Sequence, residues 1–458
     1  MWEINRVDKK FYQMFQIKKN DIVSVTGGGG KTTLIFKLAE ELREIGNVLI
    51  TTTTKMYIPD ESRYDNMIIY SDSLDNKMEN NLKEEKNKID ILTKTKDKYK
   101  IQGIDEGVLK EYISKYDYIL IEADGAKEKI IKEWNLNEPV ILSISNKIIG
   151  VTNIKALGGK IKDVVHREEI YCERAFADKE DIFDVEKMKK YLLTNKFFKE
   201  KENNNFLKKK YIYINGIETL KEFNEALLLS KALQDREEEN EKIFMGSLFK
   251  DEIYMYQRVS AIIMASGFSR RLGQDKLLLE YNGKTLIENM MEKIDKIYFY
   301  KKKIVIPITK KTLIENMMKN DRYKTIEVVI NESPEKGQSN SIKSGITKTI
   351  NENKVLLREV EGYMFFPSDQ PFLKIETILL IMKQFLMNNK ITLPQVGIEE
   401  FSPVIFPQKY REQLLEIVGD KGGKSIIKKD DFIDKIKFKT REEFVDIDTE
   451  KELKYLQN

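Results

Sequence analysis

One cysteine, Cys172, and one histidine, His166, in 458 residues exclude an intrachain disulfide, a multi-cysteine metal site and a histidine cluster for zinc. Any metal used here is expected to be magnesium held by carboxylates and phosphates. No apolar run reaches the roughly 18 residues that a membrane span needs. The first twenty positions scatter acidic and basic side chains and form no apolar signal segment. The expected location is the cytoplasm, with no membrane partner. Strong charge of one sign is lacking too, since 79 Lys+Arg against 75 Asp+Glu leave a net +4. The short basic clusters at 208–210 and 301–303 lie beside apparent strands and read as solvated edges, so no nucleic-acid partner is expected.

What is present is enough apolar sequence for more than one core. A hydrophobic share of 41% over 53.8 kDa predicts two α/β domains, residues 1–245 and 257–458. In the first, residues 21–26 read as a strand and residues 32–45 as a helix with Leu34, Leu38, Ala39 and Leu42 on one side. Residues 47–54 read as a second strand. Further strands are expected at 116–122, 139–144 and 210–215. The Lys-, Glu- and Asn-rich stretch 75–100 reads as a solvated helix pair or insertion, and the acidic run 235–241 as a helix end or linker. From Val259 the alternation restarts, with strands at 259–264, 303–307, 326–331 and 362–367 and helices at 285–297, 311–318 and 339–350. Strands separated by helices predict parallel sheets covered on both faces.

Two stretches carry phosphate chemistry. Residues 264–276 read M-A-S-G-F-S-R-R-L-G-Q-D-K, a strand end opening into a glycine-rich basic loop. Gly267 and Gly273 let main chain approach a triphosphate, while Arg271 and Lys276 can offset charge growing on a leaving pyrophosphate. Asp369 follows the apolar residues 363–366 and precedes Gln370-Pro371, where a carboxylate can hold magnesium; its other reading is a turn or cap aspartate. Either Asp446 or Asp448, at period-two spacing, can complete that metal site, although Asp448 also suits a helix cap.

The stretch 262–279 resembles the signature of the MobA-like NTP transferases, particularly their molybdenum cofactor cytidylyltransferase branch. Residues 337–346, Ser368-Asp369-Gln370-Pro371, residues 401–407, the loop 419–424 and Asp446-Ile447-Asp448-Thr449 continue the resemblance over about 190 residues. The resemblance implies a Rossmann-like nucleotidyltransferase domain that transfers CMP from CTP to molybdopterin with Mg2+, giving molybdopterin cytosine dinucleotide and pyrophosphate. It places Ala265, Gly267, Ser269, Gly273 and Ser341 around the nucleotide and Arg271, Lys276 and Asp369 at the reacting phosphates. The loop 419–424 falls near the pterin. Ser266, Ser368 and Ser402 depart from the family pattern. A phosphorylated sugar or alcohol is the alternative acceptor.

The upstream loop Gly27-Gly28-Gly29-Gly30-Lys31-Thr32-Thr33 is a phosphate loop whose first glycine position is Val25. Gly28, Gly29, Gly30 and Thr33 supply N–H groups, Lys31 reaches toward β/γ-phosphates and Thr32 toward magnesium. Glu122 and Asp124 follow a buried strand, where either can hold magnesium through water or polarise a water. Residues 51–54 are four threonines, either strand filler or, with Lys55, contacts to a γ-phosphate. Asn215-Gly216-Ile217-Glu218 resembles a guanine-reading N-K-x-D with two positions changed, which leaves ATP and GTP both open. His166 has either a satisfied, polar surface role or a catalytic one.

Over residues 14–235 the chain resembles the YqeC family, an accessory family of selenium-dependent molybdenum hydroxylases. The resemblance rests on 26–33, 51–55, 121–127, Gly158 and His166-Arg167. It implies molybdenum cofactor and a molybdenum hydroxylase apoenzyme as partners of a P-loop-like accessory domain. NTP hydrolysis there, or nucleotide-switched carriage of finished cofactor, are the two readings of its role.

Overall fold

The computed structural model describes residues 9–70, 87–194, 196–199, 208–235, 241–267, 275–319, 322–351, 359–419 and 422–454. The chain divides into two compact units, Asp8–Tyr256 and Gln257–Asn458.

The first unit is built on a nine-stranded sheet. From one edge it runs Glu252–Met255, Glu241–Ser247, Lys209–Asn215, Lys147–Asn153, Asp21–Gly27, Tyr118–Glu122, Val48–Thr52, Ile89–Thr93 and Asn66–Ile69. All neighbours are parallel except the antiparallel edge pair of Glu241–Ser247 with Glu252–Met255. Period-two alternation sorts the side chains between two cores. Val23, Val25, Val48, Ile50, Tyr118 and Leu120 join one cluster with Leu34, Leu38, Ala39 and Leu42 of the helix Lys31–Arg43. Ile22, Leu49, Leu92, Ile119 and Ile121 join the other with Leu142. A sheet buried on both faces explains why its strands read as nearly continuous apolar runs.

Three expectations for this unit are corrected. Residues 139–144 form no strand; Val140 N–H donates to Ala123 O at 2.9 Å, and the chain then turns into the strand Lys147–Asn153 beside Asp21–Gly27. Residues 89–93 are not solvated but form a fully buried strand. The polar Asp90 within it is satisfied by Lys88 at 3.1 Å, Tyr116 Oη at 2.6 Å and Asn66 Nδ2 at 2.8 Å. The expected boundary at 245 cuts a strand, because Glu241–Ser247 and Glu252–Met255 extend the first sheet. Residues 71–86 and 236–240 lie outside the described set.

The second unit has an eight-stranded sheet. It runs Glu327–Asn331, Lys301–Pro307, Val259–Met264, Gly362–Pro367, Val404–Pro407, Ile391–Val396 and Glu399–Glu400, with Ile433–Phe438 also paired to Ile391–Val396. The first four strands are parallel, and Val404–Pro407 runs antiparallel to its neighbours. Helices Leu286–Asp295, Lys311–Met317 and Gln338–Asn351 alternate with these strands as the apolar spacing predicts. Capping boxes at Thr285–Glu288 and Thr449–Glu452 fix two helix starts. This is a mixed α/β chain with two largely parallel sheets. No helix among the described residues is long and apolar enough to cross a membrane.

Candidate functional site

In the first unit, Asp21–Gly27 delivers the glycine loop to the start of helix Lys31–Arg43. Gly27, Gly29 and Gly30 have φ of 100°, 71° and 140°, conformations that side chains other than glycine resist. Gly28 is required by space: a Cβ there would lie 2.6 Å from Ile130 O, and one at Gly29 would lie 2.9 Å from the same oxygen. Gly28 N–H donates to Val151 O at 3.0 Å. Gly29 O accepts from Asn153 Nδ2 at 2.9 Å and Asn215 Nδ2 at 3.0 Å. The helix begins with Gly30 as its cap, with no capping side chain and no acid in its first turn. Its first N–H groups and positive dipole end are thereby left for an anion.

Lys31 is buried at the base of this loop. Its Nζ donates to Gly27 O at 2.7 Å and pairs with Asp124 Oδ1 at 3.1 Å. Burial opposes its charge, but Asp124 and then Glu122 outweigh that and hold the ammonium above its ordinary value. Asp124 has no exposed surface, and its Oδ2 accepts from Gly27 N–H at 2.9 Å and Trp134 Nε1 at 2.6 Å. The Asp124 carboxylate thus latches the loop and Lys31. Glu122 instead lines the open cavity, and its Oε2 accepts from Thr32 Oγ1 at 2.7 Å. Burial pushes the Glu122 carboxyl up. Thr32 and Glu122 thus present two hard oxygens side by side.

The threonine run divides. Thr51, Thr52 and Thr53 donate to Leu92 O, Glu122 O and Val140 O at 2.8, 2.8 and 2.9 Å, which is strand stitching. Thr54 lines the cavity, and its buried hydroxyl has no hydrogen-bond partner among the described residues. The cavity encloses about 440 Å³ between Gly29–Thr33, Lys55 and a wall that includes Lys127, His166 and Arg167. Burial, then the charges of Lys132 and Arg167, lower His166 to about 4, so it stands neutral near pH 7. Asn215 is spent on the loop and on Leu248 N–H at 3.0 Å, and Glu218 pairs with Lys155 at 3.4 Å.

In the second unit, the central strands Val259–Met264 and Gly362–Pro367 are parallel neighbours and end on the same side. Lys276 Nζ bonds Asp369, which is buried, and Asp448 Oδ1 at 2.8 Å. Burial opposes the Lys276 charge, and Asp369 followed by Asp448 overcomes it, so its pKa is raised. Asp369 O accepts from Ile447 N–H at 3.0 Å, which ties the two acidic segments together. Desolvation and the charges of Asp369 and Asp448 push Asp446 up to about 7. The residue as a whole is exposed, so repulsion from Asp369 is the cause that persists in water. Among the described residues no three metal-ligating side chains converge as they stand; Lys276 pairs with Asp369 and Asp448, and Asp446 feels the charge of both. Oxygen donors crowded enough to raise one carboxyl fit a hard divalent cation.

Ala265 is buried, with its N–H on Val305 O at 2.9 Å. Among the described residues a Cβ at Gly267 would meet nothing within 4 Å, and its φ is not in the left-handed range. Ser341 is buried in a polar cluster with Ser266 and Asn331, whose Nδ2 donates to Ser266 Oγ at 2.9 Å. Ser269, Arg271, Gly273 and residues 420–421 lie outside the described set.

Several contributors escaped the sequence reading. Asn153 holds the glycine loop directly and Trp134 holds it through Asp124, both from distant segments. Lys293 is half-buried beside the acidic loop, donating to Pro371 O, and its desolvation lowers it to about 8. The available signal was positional only for Asn153, which lies in register with Asn215 at the strand ends.

Residues 23–169 match the model of the YqeC protein family, and residues 261–434 match the MobA-like NTP transferase domain. "Uncharacterized protein YqeC" of Escherichia coli K12 is 33% identical over 160 residues, covering 33% of this chain and 59% of that protein. A probable molybdenum cofactor guanylyltransferase of Natranaerobius thermophilus is 29% identical over 130 residues, covering 28% of this chain and 56% of that protein. The chain thus spans somewhat over half the length of these two relatives. The solved structure of Rv0371c from Mycobacterium tuberculosis aligns with a TM-score of 0.37 at 18% identity, covering 44% of this chain and 99% of that one. The chain joins a YqeC-family segment to a MobA-like NTP transferase domain.

Proposed function

We propose that the second unit transfers CMP from CTP to the terminal phosphate of molybdopterin, with Mg2+. The first unit binds ATP or GTP at residues 28–33 in the maturation of a molybdenum hydroxylase. The observation that carries the reading is Lys276, held between Asp369 and Asp448 at the ends of two central parallel strands. Such strand ends are where open α/β sheets bind nucleotides.

In the transfer, an acceptor phosphate oxygen forms a bond to the α-phosphorus of CTP, and the bond to the departing pyrophosphate breaks. Lys276 places a fixed cation in a largely buried site, where it stabilises charge gathering on the phosphates more than it would in water. Asp369, Asp446 and Asp448 would hold Mg2+, which when bound offsets charge on phosphate oxygens. Lys293, through the Pro371 carbonyl, keeps the segment carrying Asp369 in place. The name of the guanylyltransferase relative supports the pterin acceptor. The cytidine preference rests on the motif resemblance.

The test is pyrophosphate release by the full chain with Mg2+, molybdopterin and each NTP in turn, with mass spectrometry of the product. CTP-dependent formation of the cytosine dinucleotide is expected. Release with GTP alone would replace the cytidylyl assignment, and inactivity with every NTP would overturn the transferase reading.

A further inference from the structure

We propose that the first unit's cavity holds a second ligand beside the nucleotide: a small oxyanion, phosphate- or carboxylate-bearing, bound on the wall of Lys127, His166 and Arg167. This rests on the reading of residues 28–33 as a nucleoside triphosphate site.

The cavity lies on one flank of the glycine loop. It takes in Thr54, Glu122 and the wall, while Asn153, Asn215 and Leu248, which grip the loop, are not part of its lining. A triphosphate seated on the loop N–H groups, with its magnesium near Thr32 and Glu122, directs its terminal phosphate toward this flank. The space beyond is then the place of a partner molecule and not of the base.

The chemistry of that space is cationic. Six lysine and arginine side chains line it against three carboxylates. Among the described residues, Lys55 and Lys127 make no ion pair within 4.0 Å, and Arg167 and Lys132 share the single carboxylate of Glu138. His166, held neutral by its burial and by these same cations, can donate one N–H to an anion without adding charge. The unpartnered hydroxyl of Thr54 supplies a further donor and belongs to a class of buried group that is normally satisfied.

The wall is also mounted directly on the phosphate loop. Lys127 and Arg167 flank the parallel ribbon of Ile131–Lys132 with Val165–His166. Its approach at Ile130 is the main chain that forces glycine at positions 28 and 29. Lys129 fastens the turn by donating to Lys162 O and Asp163 O, both at 2.9 Å. Lys127, Glu128 and Arg167 are held at φ of 46°, 64° and 63°, left-handed conformations costing about 1 kcal/mol each for such residues. Three of them along one cavity keep the wall cations in fixed positions against the loop.

The experiment titrates inorganic phosphate into the full chain by calorimetry, with the loop first saturated by a non-hydrolysable ATP or GTP analogue. Saturable phosphate binding is expected. It should weaken about tenfold or more in Lys127→Ala and in Arg167→Gln, as for loss of a charge-assisted hydrogen bond, while analogue affinity stays within about twofold. Lys127 is exposed, so its variant tests the wall without threatening the fold. Absence of saturable phosphate binding with the analogue bound, or binding in both variants as tight as in the parent chain, would overturn the second site while leaving the nucleotide site standing. If the analogue itself fails to bind the parent chain, the nucleotide reading falls, and the same titration on the unliganded chain and its two variants decides the oxyanion wall alone.

Discussion

Lys31 and Asp124 form a buried ion pair, Nζ to Oδ1 at 3.1 Å, with the same carboxylate accepting the Gly27 N–H. Lysine and loop are therefore fastened by one side chain. Asp124→Ala strands a buried ammonium and is expected to destabilise the first unit by about 3–5 kcal/mol. The double variant Lys31→Met/Asp124→Ala should recover part of that loss. Trp134, which donates to Asp124 at 2.6 Å, serves as the fluorescent reporter in urea titrations; equal stabilities for the two variants would contradict the pairing.

Separate activities should follow Lys31 and Lys276. Lys31→Ala is expected to remove ATP or GTP binding by the first unit and to leave pyrophosphate release from CTP within about twofold. Lys276→Ala should lower that release about 100-fold or more, as for loss of a transition-state charge partner, with analogue binding at the glycine loop intact. Loss of both activities in either variant, with the chain folded, would show that the two functions depend on one another.

Asp446 should make magnesium use depend on pH. Its carboxyl is raised to about 7, so a proton competes with the metal below that value and is gone above it. Apparent Mg2+ affinity in the transfer assay is expected to rise between pH 6 and 8. Asp446→Asn should lose most of that rise, and an unchanged profile in the variant would remove Asp446 from the metal site.

His166 gives the first unit an acid-sensitive element. Its folded value of about 4 lies below the ordinary value of about 6.5, so between those two the unfolded chain binds the extra proton. Stability from this group is present above about pH 6.5 and is lost as pH falls toward 4. The Tm difference between the parent chain and His166→Gln should shrink over that range. As the only histidine, its ring resonances titrate without ambiguity, and a midpoint near 6.5 would refute the buried, cation-flanked setting.

Within residues 259–367 the second unit was legible where its strands are apolar runs with marked turns; residues 301–303, read as a solvated edge, instead open the strand Lys301–Pro307 with Lys302 and Lys303 buried. Val259–Met264 and Gly362–Pro367 stand where the alternation places them. In the first unit, polar residues broke the pattern inside buried strands. Lys147 opens a strand and is paired with Asp21 at 3.0 Å, and Asp90 sits in the middle of another among three partners. Asp21 lies far in sequence from Lys147, as do Asn66 and Tyr116 from Asp90, so a local reading treats these residues as solvated. Conversely, residues 139–144 have strand-like composition, but their place in the sheet belongs to Lys147–Asn153. The site shows the same division: Gly28, Lys31, Lys276 and Asp369 declared themselves by local motif. Trp134, Asn153 and Lys293 act across long separations and left no local mark.

The Gly29 carbonyl is gripped from two sides by amides of adjacent strands. A loop clamped in this way has little disorder left to surrender when a phosphate chain arrives. Discrimination between mono-, di- and triphosphates should then follow the number of charges presented to a rigid cradle, with fast association and affinity differences expressed in dissociation.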